Sequence, residues 1–301
     1  MTTSRPTYKQ PAVASKGMVT SNHPLASLAG NEVLMRGGNA VDAAIATMFA
    51  LTVVEPMMVT IFGAGFVNIR WANGECATID NYATVPGAAT PDMFRPVPGT
   101  LDHLVEGDEN AVGHRSVAVG GTLLGWATAI EKYGRLSLAE VIRPAVRFAR
   151  EGFQATPYLC SIIESQADDI RRFPDTEKVF MPRGGVPEPG DTIVRTEYAD
   201  TLDAIGREGP GYLYGGPLGQ AIADDMAGER RAHHHGRHPR LPYLRAAAGS
   251  RRCTAATRSS QWRRPPPEAP TSSRCSRSSR ASTSPAWASA PPMRSTSPPR
   301  R

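Results

Sequence analysis

The chain has 301 residues, 40% of them hydrophobic, enough for one large or two ordinary domains with a packed core. Its formal charge of +6 is unevenly placed: residues 229–301 hold 16 of the 34 basic residues, all Arg, and only two of the 28 acidic ones. The first 228 residues are therefore acidic, which confines any attraction for nucleic acid to the tail, and no apolar run is long enough for a secretory signal or a membrane span. The expectation is a cytoplasmic protein with no membrane partner. Cys76, Cys160, Cys253 and Cys275 lack metal-ligand spacing and read as buried or incidental thiols, so neither a metal nor a cofactor is expected.

Residues 1–16 are polar and Pro-bearing, an arm or a first edge strand. Leu25, Leu28, Ala29, Val33 and Met35 then recur at helical spacing behind Asn22, a candidate cap, and the helix should stop at Arg36. Gly37 or Gly38 can take the left-handed conformation that ends a helix. Asn39 can cap the next one, with Asp42 adding negative charge near its N-terminus. From Ala40 to Val54 only Asp42, Thr47 and Thr52 are polar, so this second helix should be buried and end before Pro56. Val59–Trp71 is rich in β-formers, and Ala72-Asn73-Gly74-Glu75 supplies a tight turn on which Cys76–Asp80 can pair back.

Residues 87–115 read as loop, and Arg115–Thr122 as a strand entering a turn. A helix follows over Leu123–Tyr133, ended by Gly134. Ser137-Leu138-Ala139-Glu140 is a capping box that opens another, with Val141, Ile142, Ala145, Phe148 and Ala149 on one face, a kink expected at Pro144 and an end at Gly152. Helical patterning runs again from Tyr158 to Arg172, stopped by Phe173-Pro174. Residues 184–191 are a loop, Tyr198–Ile205 a helix ended by Gly206, and Leu218–Met226 a last helix.

Three stretches in order carry a resemblance. They are Gly17-Met18-Val19-Thr20-Ser21-Asn22-His23-Pro24-Leu25-Ala26-Ser27, then Arg36-Gly37-Gly38-Asn39-Ala40-Val41-Asp42-Ala43-Ala44-Ile45-Ala46, then Val54-Glu55-Pro56 with a glycine-bearing turn. Together they resemble the start of the gamma-glutamyltranspeptidase family, and the likeness continues through about residue 227. The resemblance implies an α+β fold, here an incomplete four-layer αββα N-terminal nucleophile (Ntn) hydrolase sandwich with a disordered C-terminal tail. The division that follows is an arm over 1–16, a large-subunit region over 17–228 and a tail over 229–301. It also implies a precursor that cuts itself in two, the new N-terminal Thr of the small subunit being the nucleophile. No Thr of this chain stands in the Thr-Thr-His or Thr-Ser-His context of that cut, so no catalytic residue is assigned. A small-molecule amide or gamma-glutamyl-like substrate is expected only once a small subunit completes the site.

At the end of the second hairpin strand the family carries Asp, one residue, an Arg and an acidic residue, then Ala-Pro, and the Arg grips the gamma-glutamyl carboxylate. Here the run is Asp80-Asn81-Tyr82-Ala83-Thr84-Val85-Pro86, which places Tyr82 at the Arg position. A phenol offers one neutral donor where guanidinium offers a charged, planar pair, so glutamate recognition should weaken. Tyr82 is thus either a substrate-binding residue of altered specificity or a ring packed on the sheet. The family's glycine-rich run is also interrupted here by Thr60, Phe62 and Ala64.

Other groupings carry less. Ser21, His23 and Asp42 or Asp80 lack a nucleophile elbow and read as capping or core residues. His114 has no partner that spacing can name. The tail contains no Val, Ile, Phe, Asp, Asn or Lys and cannot bury a core. It is a basic nucleic-acid-binding arm on an acidic scaffold, a low-complexity linker, or a frameshifted segment of a GC-rich gene. The absence of Lys and the abrupt switch favour the last and argue against nucleic acid as a partner. On that reading His233-His234-His235 with His238 is an accidental cluster, not a metal site.

Overall fold

The computed structural model describes residues 12–99 and 104–233, with side chains through residue 228. The chain divides into units Met1–Thr257 and Arg258–Arg301, and every described residue belongs to the first. The arm before residue 12 and the tail after residue 233, including the histidine cluster from His234 onward, lie outside the described residues.

Helix α1 (Pro24–Met35) is capped by His23, whose ring accepts the Leu25 N–H, and not by Asn22. Asn22 instead donates to Glu55 at 3.2 Å. The buried face of α1 is Ala26, Ala29, Gly30 and Val33, while Leu28 and Met35 are exposed, contrary to the apolar spacing. Gly30 explains the offset. A Cβ there would stand 2.4 Å from Thr47 Oγ1 and 2.9 Å from the Ala43 carbonyl, so α1 crosses α2 (Ala40–Val54) on its smallest residues.

Between them Gly37 takes φ 92° and Asn39 opens α2 with a full capping box. Asp42 does more than favour the helix dipole. Its carboxylate, fully buried, accepts the Asn39 N–H at 2.7 Å and also the N–H of Arg135 at 3.0 Å, in the turn between α3 (Thr122–Tyr133) and α4 (Leu138–Glu151). Asn39 Nδ2 donates to the Tyr133 carbonyl at 2.6 Å. Four helices therefore meet on one side-chain pair. α2 is buried as its composition predicts, and Phe49 meets Trp126 of α3 edge-on at 4.9 Å.

The far end of α2 is held from α8 (Thr196–Glu208). Arg195 donates to the Thr52 and Val53 carbonyls at 2.6 and 3.1 Å, satisfying acceptors that the helix end leaves free. Its guanidinium lies 4.2 Å from the Tyr198 ring centroid, and burial pushes the Tyr198 phenol up to about 12. α8 packs on α4, as the buried Leu202 and Ile205 and the α4 face of Val141, Ile142, Ala145, Phe148 and Ala149 require.

The hairpin forms as expected, with β1 (Phe66–Arg70) antiparallel to β2 (Cys76–Asp80) and Phe66 opposite Asp80, although only five residues of the β-rich run join it. A second small pairing, β3 (Phe153–Gln154) with β4 (Thr192–Ile193), was not legible. Several boundaries differ from the sequence reading. His114–Ser116 is a 3-10 turn, and the strand expected over Arg115–Thr122 reduces to one bridge between Val119 and Thr84. The helix expected over 158–172 breaks at Gln166 into α5 (Pro157–Ser165) and α6 (Ala167–Arg171); it stops before Phe173-Pro174 as expected, and Pro174 then opens a further helix, α7 (Pro174–Phe180). α4 continues through Pro144 as one helix. α8 passes Gly206, which lies close to Ala139 of α4, and ends at Gly209 with φ 76°. α9 (Pro217–His233) runs past residue 228, so the helix crosses the compositional boundary. Among the described residues no helix is long and apolar enough to cross a membrane.

Asp42→Ala removes the acceptor for three backbone N–H groups on two segments and should lower unfolding free energy by about 3 kcal/mol or more. A denaturant midpoint unchanged from the parent chain would contradict this role.

Candidate functional site

The hairpin ends where β2 runs against the start of α3, and the candidate site forms at that junction. Asn81 N–H donates to the Gly65 carbonyl at 3.1 Å, carrying the ladder one residue past β2. Tyr82 N–H then turns back to Asp80 Oδ1 at 2.9 Å, an Asx-type turn that fixes the direction of the next side chain. Tyr82 is 56% exposed and lies against Phe66 of β1, itself 57% exposed, with ring centroids 5.7 Å apart and planes 29° from parallel. Two large aromatic side chains thus stand together at the open end of the hairpin, held by a rigid backbone.

The backbone is rigid because two segments cross it at contact distance. A Cβ on Gly120 would lie 2.1 Å from the Phe62 carbonyl oxygen, and one on Gly121 2.8 Å from the Asn81 carbonyl oxygen. Only glycine permits that approach. The first amides of α3 are closed by this loop, with Gly121 N–H bonded to the Gly63 carbonyl at 3.0 Å and Leu123 N–H to the Ile61 carbonyl at 3.1 Å. Tyr214, far along the chain, donates its hydroxyl to the Gly120 carbonyl at 3.0 Å and accepts the Leu124 N–H at 3.4 Å.

Under Tyr82 the site is polar. Asn81 is 2% exposed and Thr122 3%, and Asn81 Oδ1 and Thr122 Oγ1 are buried without a hydrogen-bond partner among the described residues. Unsatisfied buried oxygens are costly and rare, so this junction is the least self-sufficient part of the described fold. Neither residues 60–66 nor 80–86 include Lys or Arg, and Arg70 stands at the opposite end of the hairpin, opposite Cys76. Asp80, exposed, places a negative charge at this end.

The other groupings do not assemble. His23 caps α1, Ser21 Oγ pairs with Ser27 Oγ at 2.8 Å, Asp42 accepts backbone amides and Asp80 accepts Tyr82 N–H. His114 Nε2 meets Asp225 Oδ2 of α9 at 2.9 Å, a contact 111 residues apart that no spacing rule could supply. Among the described residues no group of three or more His, Cys, Asp or Glu side chains is placed to hold a metal. Asn81, Thr122 and Tyr214 were missed by sequence reasoning because isolated polar residues beside strands and turns carry no periodic signal.

Residues 26–230 match the family model described as gamma-glutamyltranspeptidase. The chain belongs to the gamma-glutamyltranspeptidase family. Over 221 residues it is 47% identical to the acylase ACY 1 proenzyme of Pseudomonas sp. (strain V22), covering 73% of this chain and 40% of that protein. It is 36% identical over 220 residues to the glutathione hydrolase proenzyme of Bacillus subtilis (strain 168), covering 73% and 37%. The chain thus spans about two fifths of the length of the curated relatives it matches. Among solved structures, Helicobacter pylori gamma-glutamyltranspeptidase superposes with a TM-score of 0.67 at 33% identity, over 72% of this chain and 62% of that one. The cephalosporin acylase of Bacillus halodurans superposes with a TM-score of 0.60 at 28% identity, over 73% and 42%. The described residues are accordingly a mixed α/β portion of a gamma-glutamyltranspeptidase-like fold, matching Ntn hydrolase structures.

Gly120→Ala places a methyl group against the backbone of Phe62, with no flexible side chain to give way. It should destabilise the fold by about 1–3 kcal/mol and loosen the Phe66–Tyr82 contact. Thermal unfolding with near-ultraviolet circular dichroism reads both, and an unchanged melting temperature would show that the crossing is looser than described.

Proposed function

We propose that this chain carries the large-subunit portion of an Ntn amidohydrolase, an incomplete αββα sandwich whose completed site takes an acyl group other than gamma-glutamate. The observation that carries the proposal is Tyr82. It sits where the family resemblance puts the carboxylate-gripping Arg, its ring is exposed and stacked on Phe66, and no cation lies in the flanking segments 60–66 and 80–86. A carboxylate buried there would find no Lys or Arg in segments 60–66 and 80–86, whereas an acyl group with a neutral or apolar body would find two aromatic faces. The 47% identity to a protein named as an acylase, against 36% to one named as a glutathione hydrolase, supports the same direction.

The chemistry of the family requires a threonine at a new N-terminus, its free amine acting as base, and donors for the oxyanion. The 301 residues contain no threonine in the cleavage context. This chain alone is therefore expected not to turn over an amide substrate.

Two measurements test the reading. The purified chain should stay a single uncut band on a denaturing gel and release no p-nitroaniline from gamma-glutamyl-p-nitroanilide, and self-cleavage or product would overturn it. Residues 1–228 co-produced with the downstream portion of the Pseudomonas acylase should favour a neutral acyl amide, and Tyr82→Arg should shift the kcat/KM ratio toward the gamma-glutamyl substrate by roughly 10-fold or more. A ratio that does not move would remove Tyr82 from the acyl site.

A further inference from the structure

His23 has two ring nitrogens in opposite situations. The residue is 5% exposed, and Nδ1 accepts the Leu25 N–H at 3.2 Å, closing the first turn of α1. Nε2 is buried with no hydrogen-bond partner among the described residues. An accepting nitrogen carries no proton, so the neutral ring holds its hydrogen on Nε2. Such a cap differs from the usual Ser, Asn or Asp in one respect: it can be switched off by a proton.

Protonation would place a hydrogen on Nδ1 facing the Leu25 N–H, donor against donor. It would also set a positive charge at the positive end of the α1 dipole, in a site with little water. Burial holds the imidazole below its ordinary 6.5, and the nearby Glu55 carboxylate opposes that shift without overcoming it. Glu55 is the charge that acts on the ring from the packed elements. It C-caps α2, is 4% exposed, and accepts from Asn22 Nδ2. The remaining polar neighbours are uncharged: Ser21 Oγ donates to the His23 carbonyl at 2.9 Å and pairs with Ser27. The chain preceding His23 is seated through this same junction, with Val19 packed on the core and Asn22 tied to Glu55.

We propose that His23 is a pH-operated helix cap: neutral, it closes α1 and seats the short run 19–22 before it, and protonated, it releases both. The sign follows from the direction of the shift. Capping is complete above the unfolded value near 6.5 and is lost as pH falls below it through the lowered folded pKa.

The test is the amide exchange of Leu25 in the full chain, followed by NMR at about pH 7.5 and about pH 5 and corrected for intrinsic rates. Protection should drop roughly five-fold or more at the lower pH, the size expected for losing one cap. His23→Asn keeps a cap that does not titrate and should hold protection at both pH values, whereas His23→Ala should lack it at both. Equal protection of the parent chain at the two pH values, or pH dependence surviving in His23→Asn, would overturn the proposal. Nitrogen chemical shifts of the ring give a reading independent of any variant. Nε2–H at the higher pH is required, and Nδ1–H there would also overturn it.

Discussion

A carboxylate sealed from water must be surrounded by donors, and in this chain that requirement falls on Asp42. Its oxygens take N–H groups from the start of α2 and from the turn between α3 and α4. Asn39 ties the same turn to the same place through the Tyr133 carbonyl. Because one carboxylate takes amides from both segments, the α1–α2 break and the α3–α4 turn are fixed relative to each other. Everything at the other end of α3 inherits that placement, including the glycine crossing at Gly120 and Gly121 and the Asn81–Tyr82 segment laid against it. Arg195 performs the complementary task at the far end of α2, supplying donors to carbonyls that would otherwise be bare.

The junction so positioned is structurally firm and chemically unfinished. Its backbone amides are satisfied by the loop over 61–65, yet Asn81 Oδ1 and Thr122 Oγ1 are buried without partners among the described residues, and Phe66 and Tyr82 remain more than half exposed. The charge pattern narrows the chemistry. Asp80 puts a negative charge at this end, and segments 60–66 and 80–86 carry no Lys or Arg to offset it.

Where local chemistry decides structure, the sequence was a sufficient guide. Asn39 and Asp42, Ser137 and Glu140, the Asn73-Gly74 turn and the apolar run of α2 all read directly into caps, a hairpin and a buried helix. Where tertiary contacts decide, it was not. The buried face of α1 is set by the crossing of Gly30 over α2, not by the spacing of Leu28 and Met35, and Gly206 lies inside α8 because α4 packs on it there. His23 displaced Asn22 as the cap because Asn22 found a better partner in Glu55, 33 residues away. The site divides the same way. Tyr82 is singled out by a motif position, while Asn81, Thr122 and Tyr214 stand out only through neighbours that the chain brings from elsewhere.

Native-state hydrogen exchange at the Arg135 amide tests the central claim most directly. Arg135 begins a short polar turn, where exchange is ordinarily fast, but an amide bonded to a sealed carboxylate that joins four helices should exchange only with global unfolding, alongside the core amides around Phe49. Exchange of Arg135 orders of magnitude ahead of those core amides would mean that the turn opens on its own, and that Asp42 does not hold the fold together.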